Sequence, residues 1–397
     1  MKLRSSLNLL IFTLALTACA TASTPTQAPP VPPTATPIIF PTDTPTALPT
    51  DTATPLPTST PTPTASPTPT LFVLPGTPLP PPPAPIQVEN AANVSALALW
   101  NEPAVVDMAW TPDGRLLAVA NQETINLYDI NSRQAIRTLY PSTRELVQIA
   151  FSPNGRWLVS GSRRGSMEEG FFSTLEIWVG PDWKPLGILY DVPLALSKLE
   201  FSPDSKTLAL AFTSPVYEDN LIEFLSTINW QIIEQLQPGT VLDVAFSMGG
   251  RQIAVAPNRY AIRFWDFDEV DWIMTHHTSF TGAVTRMSFS PDTVSFGSAH
   301  YDGVIRLWDL ATGAPLLLIS TEEVVEDIDF SPDGRLLASG GSYQNAYVRL
   351  WDVSTGALLR TLEGHHDGVA QVLFSPDRQY LVSASYSGEI RLWGHRR

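Results

Sequence analysis

One cysteine, Cys19, stands in a chain of 397 residues. An intrachain disulfide is therefore excluded, and stability has to come from packing. Charge is sparse, at 16% of residues, and bases are the scarcer sign: 24 Lys and Arg against 39 Asp and Glu, a formal −15. That balance disfavours nucleic acid and anionic lipid surfaces as partners, and suits a basic partner or solubility alone. No apolar run reaches the ~20 residues needed to span a bilayer as a helix. The sequence has no Gly-x-Ser-x-Gly nucleophile turn and no Gly-rich phosphate loop opening a helix. Its paired histidines, His276-His277 and His365-His366, are adjacent, so on a strand they point to opposite faces and make no metal clamp. The expectation is a protein without catalytic residues, metal or cofactor.

Between residues 20 and 85 Lys, Arg and His are missing altogether, and Pro and Thr dominate. This composition cannot bury a core and favours extended polyproline II. At about 3.1 Å per residue such a segment reaches on the order of 200 Å when fully extended. Before it, Lys2 and Arg4 precede an apolar stretch from Leu7 to Leu16, the layout of an export signal. Leu16-Thr17-Ala18-Cys19 resembles the bacterial lipobox, which implies lipid on Cys19. Ordinary cleavage after Ala20 also fits. The reading is a signal over 1–18, a disordered Pro/Thr linker over 19–85 and a folded domain over 86–397, held outside the cytoplasm on a membrane anchor or else secreted.

The folded part repeats one unit, clearest from Phe330 to Asp352: a strand, the turn Ser331-Pro332-Asp333-Gly334, a short apolar strand, then Val348-Arg349-Leu350-Trp351. Seven copies are indexed by Trp110, Phe151, Phe201, Phe246, Phe289, Phe330 and Phe374, spaced 41, 50, 45, 43, 41 and 44 residues apart. Third strands end at Tyr128, Trp178, Phe224, Trp265, Trp308, Trp351 and Trp393. A period of about 40–45 with a Trp-Asp ending is the signature of four-stranded propeller blades. The sequence resembles the WD-repeat β-propeller family over 86–397. The resemblance implies an all-β, seven-bladed ring. The seventh unit shows three strands, and Val94 to Trp100 has the strand character to supply its fourth. Closure by this N-terminal strand would remove the open ends of the blade row.

Two residues before each index aromatic the chain is apolar: Met108, Ile149, Leu199, Val244, Met287, Ile328 and Val372. Three before, it is polar: Asp107, Gln148, Lys198, Asp243, Arg286, Asp327 and Gln371. Alternation assigns the first set to the packed blade interfaces and the second to a central channel. There the charges either solvate and pair, the favoured reading, or hold an ion or small polar ligand.

Many WD-repeat blades carry a buried set of His, Ser or Thr, Asp and Trp. In the seventh unit Gly364-His365, Ser383 and Trp393 match, but Ser387 stands where Asp is expected. In the fifth, Ser298, Asp302 and Trp308 match, but Phe280 replaces His. The resemblance also implies a ligand rim at the loop seven residues before each third-strand aromatic: Asn121, Phe171, Tyr217, Asn258, Tyr301, Gln344 and Tyr386. Neighbouring rim positions include Glu145, Val147, Thr240, Leu242, Val324 and Glu326. Insertions at 162–174 and 213–220 fall on the same kind of loop. Phe171, Tyr217, Tyr301 and Tyr386, with Glu145 and Glu326, form the expected partner-binding surface. The expectation is a monomeric, non-catalytic scaffold for a protein or peptide, with carbohydrate or envelope-polymer binding, or an enzyme with a channel or rim site, as the alternatives.

Overall fold

The computed structural model describes residues 84–166, 170–213, 220–239, 241–258, 261–277 and 282–395. Contacts divide the chain into two units, Met1–Ser66 and Pro67–Arg397, and every described residue lies in the second. The expected signal, Cys19, nearly all of the Pro/Thr linker, Tyr217, Thr240 and Phe280 lie outside the described residues. Among the described residues no helix is long and apolar enough to cross a membrane.

The turn that indexes each repeat is built by its own side chains. In the sixth copy the Ser331 hydroxyl accepts the Leu336 N–H at 2.9 Å and donates to Asp333 at 2.7 Å. The Gly334 N–H closes the turn onto the Ser331 carbonyl. The last turn residue is left-handed, with φ of 71° at Gly334. Ser205, Thr293 and Arg378 hold the same conformation in the third, fifth and seventh copies, at φ of 61–62° and without glycine's freedom.

These turns organise seven four-stranded antiparallel sheets. We number the sheets as blades 1 to 7, with first strands Asp107–Trp110, Leu146–Phe151, Ala195–Phe201, Val244–Phe246, Val284–Phe289, Val325–Phe330 and Val369–Phe374. Each first strand touches those of the blades before and after it, and blade 7 touches blade 1, so the row closes into a ring. The protein is a seven-bladed β-propeller. Blade 7 takes its fourth strand from the N-terminal side, as Val94–Asn101 pairs with Glu389–His395, Trp100 opposite Ile390. The chain just ahead is fixed as well. The Ile86 N–H bonds the Arg378 carbonyl at 2.7 Å, and its side chain is fully buried.

The core is seven apolar clusters, one in each gap between blades. Met108, Ile149, Leu199, Val244, Met287, Ile328 and Val372 all fall in them, buried, as the alternation requires. Full burial of each such side chain contributes roughly 1.5–3 kcal/mol, so every gap is held independently of any disulfide. Register corrects one index. Leu208 pairs with Leu225, as Leu337 pairs with Trp351. Leu225 therefore occupies the third-strand position that Phe224 was expected to hold. Phe224 packs in the opposite gap, against blade 4. Counting seven back from Leu225 reaches Glu218 instead of Tyr217.

The first insertion is not a loose loop for most of its length. It extends the second and third strands of blade 2 into a ten-residue pair, Trp157–Ser166 with Gly170–Val179.

Candidate functional site

The polar set lies on or just before the first strands, and its side chains bridge blades. Carboxylate or amide oxygens accept the backbone N–H of the apolar position in the next blade. Asp107 takes that of Ile149 at 2.9 Å, Gln148 that of Leu199 at 2.6 Å and Asp243 that of Met287 at 2.7 Å. Asp327 takes that of Val372 at 2.8 Å, and Gln371 that of Met108 at 2.7 Å, across the closure. Lys198 and Arg286 have no acceptor, so their junctions use ion pairs: Lys198 to Asp243 at 3.6 Å and Arg286 to Asp327 at 2.7 Å. Every junction is bridged. Asp107, Asp243 and Asp327 are buried rather than solvated, at 8%, 1% and 4% exposure. A bulge at Val147, Ser197, Thr285, Glu326 and Ala370 precedes the polar residue in five blades and re-aims the strand there.

Two further acids stand one residue before index aromatics. Glu200 accepts the Phe246 N–H at 3.1 Å, and Asp329 that of Phe374 at 2.7 Å. Burial pushes each carboxyl up to about 7. Burial also raises Asp107 and Asp327, whereas Arg286 is held charged by Asp327, Asp243 and Asp107 against its own desolvation. Among the described residues no group of three His, Cys, Asp or Glu is placed to hold a metal ion.

The buried Trp sets are rebuilt from residues that spacing did not reveal. In blade 7, Ser383 joins the Trp393 indole at 2.8 Å and His365 at 2.6 Å. The acid beside His365 is Glu389, at 3.4 Å, and not a residue at position 387. In blade 5, Ser298 joins the Trp308 indole at 2.9 Å and His300 at 2.8 Å. His300 comes from the second strand and supplies the imidazole that the preceding loop was expected to lack. Burial lowers both imidazoles to about 4, so they stay neutral. In each network one Ser hydroxyl is held between an indole and an imidazole inside the blade, and the buried His365 Nδ1 makes no hydrogen bond among the described residues.

The rim residues divide. Tyr301 and Tyr386 stand exposed at loop tips of blades 5 and 7, at 58% and 41%. Between them, on blade 6, the exposed ring is Tyr343, at 65%, one position before the expected Gln344. Tyr343 stacks on Tyr386 with centroids 5.2 Å apart and planes at 11°. Gly368 lies under this pair. A side chain there would start 3.0 Å from the Tyr343 nitrogen and 3.3 Å from the Tyr386 ring, so the absence of a Cβ lets the loops meet. The Tyr386 hydroxyl donates to Glu326 at 3.1 Å. Burial, and then the Glu326 charge, raise the Tyr386 pKa above its ordinary value. Glu145 is exposed beside blade 2. Phe171 is on the blade 2 hairpin under the Arg163 guanidinium, 5.2 Å from its ring, away from the three tyrosines.

Comparison with known proteins agrees with the repeat reading. The model of "WD domain, G-beta repeat" matches residues 133–167, 271–309, 317–352 and 356–394. The last two matches run from the fourth strand of one blade through the third strand of the next, the same offset that leaves blade 7 to be closed by Val94–Asn101. "WD repeat and SOCS box-containing protein 1" of Homo sapiens is 31% identical over 109 residues, 27% of this chain and 26% of that protein. "Pre-mRNA-processing factor 19" of Oryza sativa subsp. japonica is 24% identical over 330 residues, 80% of this chain and 60% of its own. "Anaphase-promoting complex subunit cdc20" of Dictyostelium discoideum is 28% identical over 158 residues, 38% of this chain and 32% of that one. The chain thus covers less than two thirds of these relatives' lengths. The matches support the WD-repeat propeller family.

Proposed function

We propose that this chain is a non-catalytic interaction scaffold that binds another protein through exposed loop tips of blades 5 to 7. The observation that carries the reading is the exposed Tyr343–Tyr386 stack, with Tyr301 one blade away. Large aromatics left in water on a rigid frame supply contact area with little ordering cost, which is how interface anchors work. The polar residues near the axis are committed to neighbouring blades, which favours a rim site over a channel site. The relatives' names point the same way, one being a subunit of a complex and another, "Serine-threonine kinase receptor-associated protein" of Mus musculus, an associated protein. Glu326 belongs to this surface; Phe171 and Glu145, on blade 2, form a separate sector.

The setting we propose is extracytoplasmic, with lipid on Cys19 and the Pro/Thr segment as a spacer. Mass spectrometry of the mature N-terminus tests the anchor: a diacylglyceryl Cys19 supports it, and an unmodified N-terminus after Ala20 refutes it. The binding reading is tested by capture from the producing cell's envelope and culture fluid. The bait is the full chain, beside a folded variant with Tyr301, Tyr343 and Tyr386 changed to Ala. A protein held only by the unmodified bait supports the rim. Equal capture by both baits moves the surface elsewhere. Retention of purified polysaccharide and of no protein replaces this reading with a sugar-binding one.

A further inference from the structure

Resting on the rim reading above, we infer that the Tyr343–Tyr386 sector takes an arginine-bearing segment of the partner protein.

Among the described residues arginine covers several of the other rings of this molecule, though not the exposed Tyr140. Arg163 lies over Phe171 and Arg164 over Phe172, at 5.2 and 5.5 Å. Arg156 lies over Trp157 at 4.5 Å, Arg263 over Trp272 at 4.4 Å, and Arg349 over Tyr347 at 5.4 Å. A guanidinium on an aromatic face is thus the chain's recurrent way of covering a ring. Among the described residues no cation lies over Tyr301, Tyr343 or Tyr386, although they are as exposed as the capped ones or more so.

The charge of the sector points the same way. Asp302 is neutralised by Arg306 and Glu323 by Arg349. Arg286, whose charge reaches Tyr386, is held by Asp327 and Asp243. Among the described residues Glu326 receives only the Tyr386 hydroxyl, on one oxygen. Glu322 is exposed on the adjoining loop and forms no ion pair among the described residues. The sector therefore presents ring faces with no cation over them beside two carboxylates that form no ion pair among the described residues. A partner's arginine satisfies both at once: its plane stacks on the tyrosines while its N–H groups reach the free Glu326 oxygen. A lysine supplies the charge but not the planar stack, so arginine fits better.

The test is selection of random twelve-residue displayed peptides on the full chain. The selected peptides are then resynthesised with each arginine replaced by lysine or by neutral citrulline. The expected result is a shared arginine whose change to citrulline weakens binding tenfold or more, with lysine intermediate. Glu326→Gln and Tyr343→Ala should weaken the arginine peptide by a similar factor, and the citrulline peptide little further. Tyr343→Phe, which keeps the ring, should bind as the native chain does and guards against loss through misfolding. Selected peptides without a basic residue, or binding indifferent to citrulline, overturn the inference. If such peptides are still lost on Tyr343→Ala, the rim stands and only the arginine is wrong. If Tyr343→Ala and Tyr386→Ala change nothing, or no peptide is selected, the rim reading falls with it.

Discussion

Replacing Asp329 by Asn should stabilise the propeller above neutral pH. Asp329 Oδ2 accepts the Phe374 N–H at 2.7 Å, joining blade 6 to blade 7. Burial, helped by the charge of Asp327, pushes its carboxyl from 3.8 to about 7. The unfolded chain releases this proton near 3.8, and the folded chain holds it until about 7. Stability is therefore fully present below the lower value and is lost as pH rises through the upper one. A rise of about 3 in pKa corresponds to about 4 kcal/mol. The side chain is only partly enclosed, and water screens it, so about 2 kcal/mol is the expected size. Asn retains an oxygen for the Phe374 N–H and cannot ionise. Urea denaturation at about pH 5 and about pH 8.5 reads the difference, and the variant's advantage should grow by more than about 1 kcal/mol between them. Parallel pH dependences of the two proteins, or a variant that loses ground as pH rises, would refute the reasoning. Glu200→Gln, on blade 3, should act in the same direction with smaller amplitude, because its carboxyl starts from 4.5.

Deleting residues 86–100 takes Val94 to Trp100 from blade 7 and should lower Tm by more than about 10 °C; an unchanged melting curve would count against closure. The imidazoles of His300 and His365, held near 4 by burial, should show no NMR titration around pH 6.5, whereas the unfolded chain takes up these protons there. Stability should accordingly fall as pH drops from about 6.5 towards 4, and an imidazole titrating near 6.5 in the folded protein would contradict its place in the network. Trp308→Phe loses the indole bond to Ser298, while the buried Trp265 indole N–H has no hydrogen-bond partner among the described residues for Trp265→Phe to lose. Denaturation should find Trp308→Phe the costlier by about 1 kcal/mol, and equal costs would show that these indole bonds add nothing net.

The sequence carried the ring more completely than the site. Seven turns that open on Ser or Thr, six of them built on its hydroxyl and the fifth on Asp292, with an aromatic before and an apolar strand after, are local signals, and local signals survive in a linear string. The apolar and polar positions ahead of each aromatic were equally legible. What Asp107 or Gln371 does there was not, because its acceptor oxygen meets an N–H some 40 residues away, or across the closure. His300 and Glu389 were missed for a related reason. Each replaces an expected residue from a different position on the blade: His300 reaches Ser298 along its own strand, and Glu389 reaches His365. Leu225 escaped because Phe224, beside it, is the aromatic that a count seizes on. Tyr343 escaped because the segment from the serine to the Trp is two residues longer in its blade than in those of Tyr301 and Tyr386. Measured forward from the serine that faces the Trp, instead of back from the Trp itself, the three tyrosines fall within one position of each other.

The pairing of Trp100 with Ile390 also sets a clock on the molecule's birth. Of the propeller's described strands, the one that finishes the ring leaves the ribosome first, and its partner leaves last. Until then Leu97, Ala98 and Trp100 have no gap to enter, and blade 1 has no neighbour on one side. Blades 2 to 6 can assemble progressively from contacts between neighbours. The final gap depends on the most distant contacts in the domain, and such contacts are slow to form. The half-made ring therefore presents an apolar strand and an unpaired edge throughout synthesis, and this interval is when the chain is most open to aggregation or to pairing with another copy.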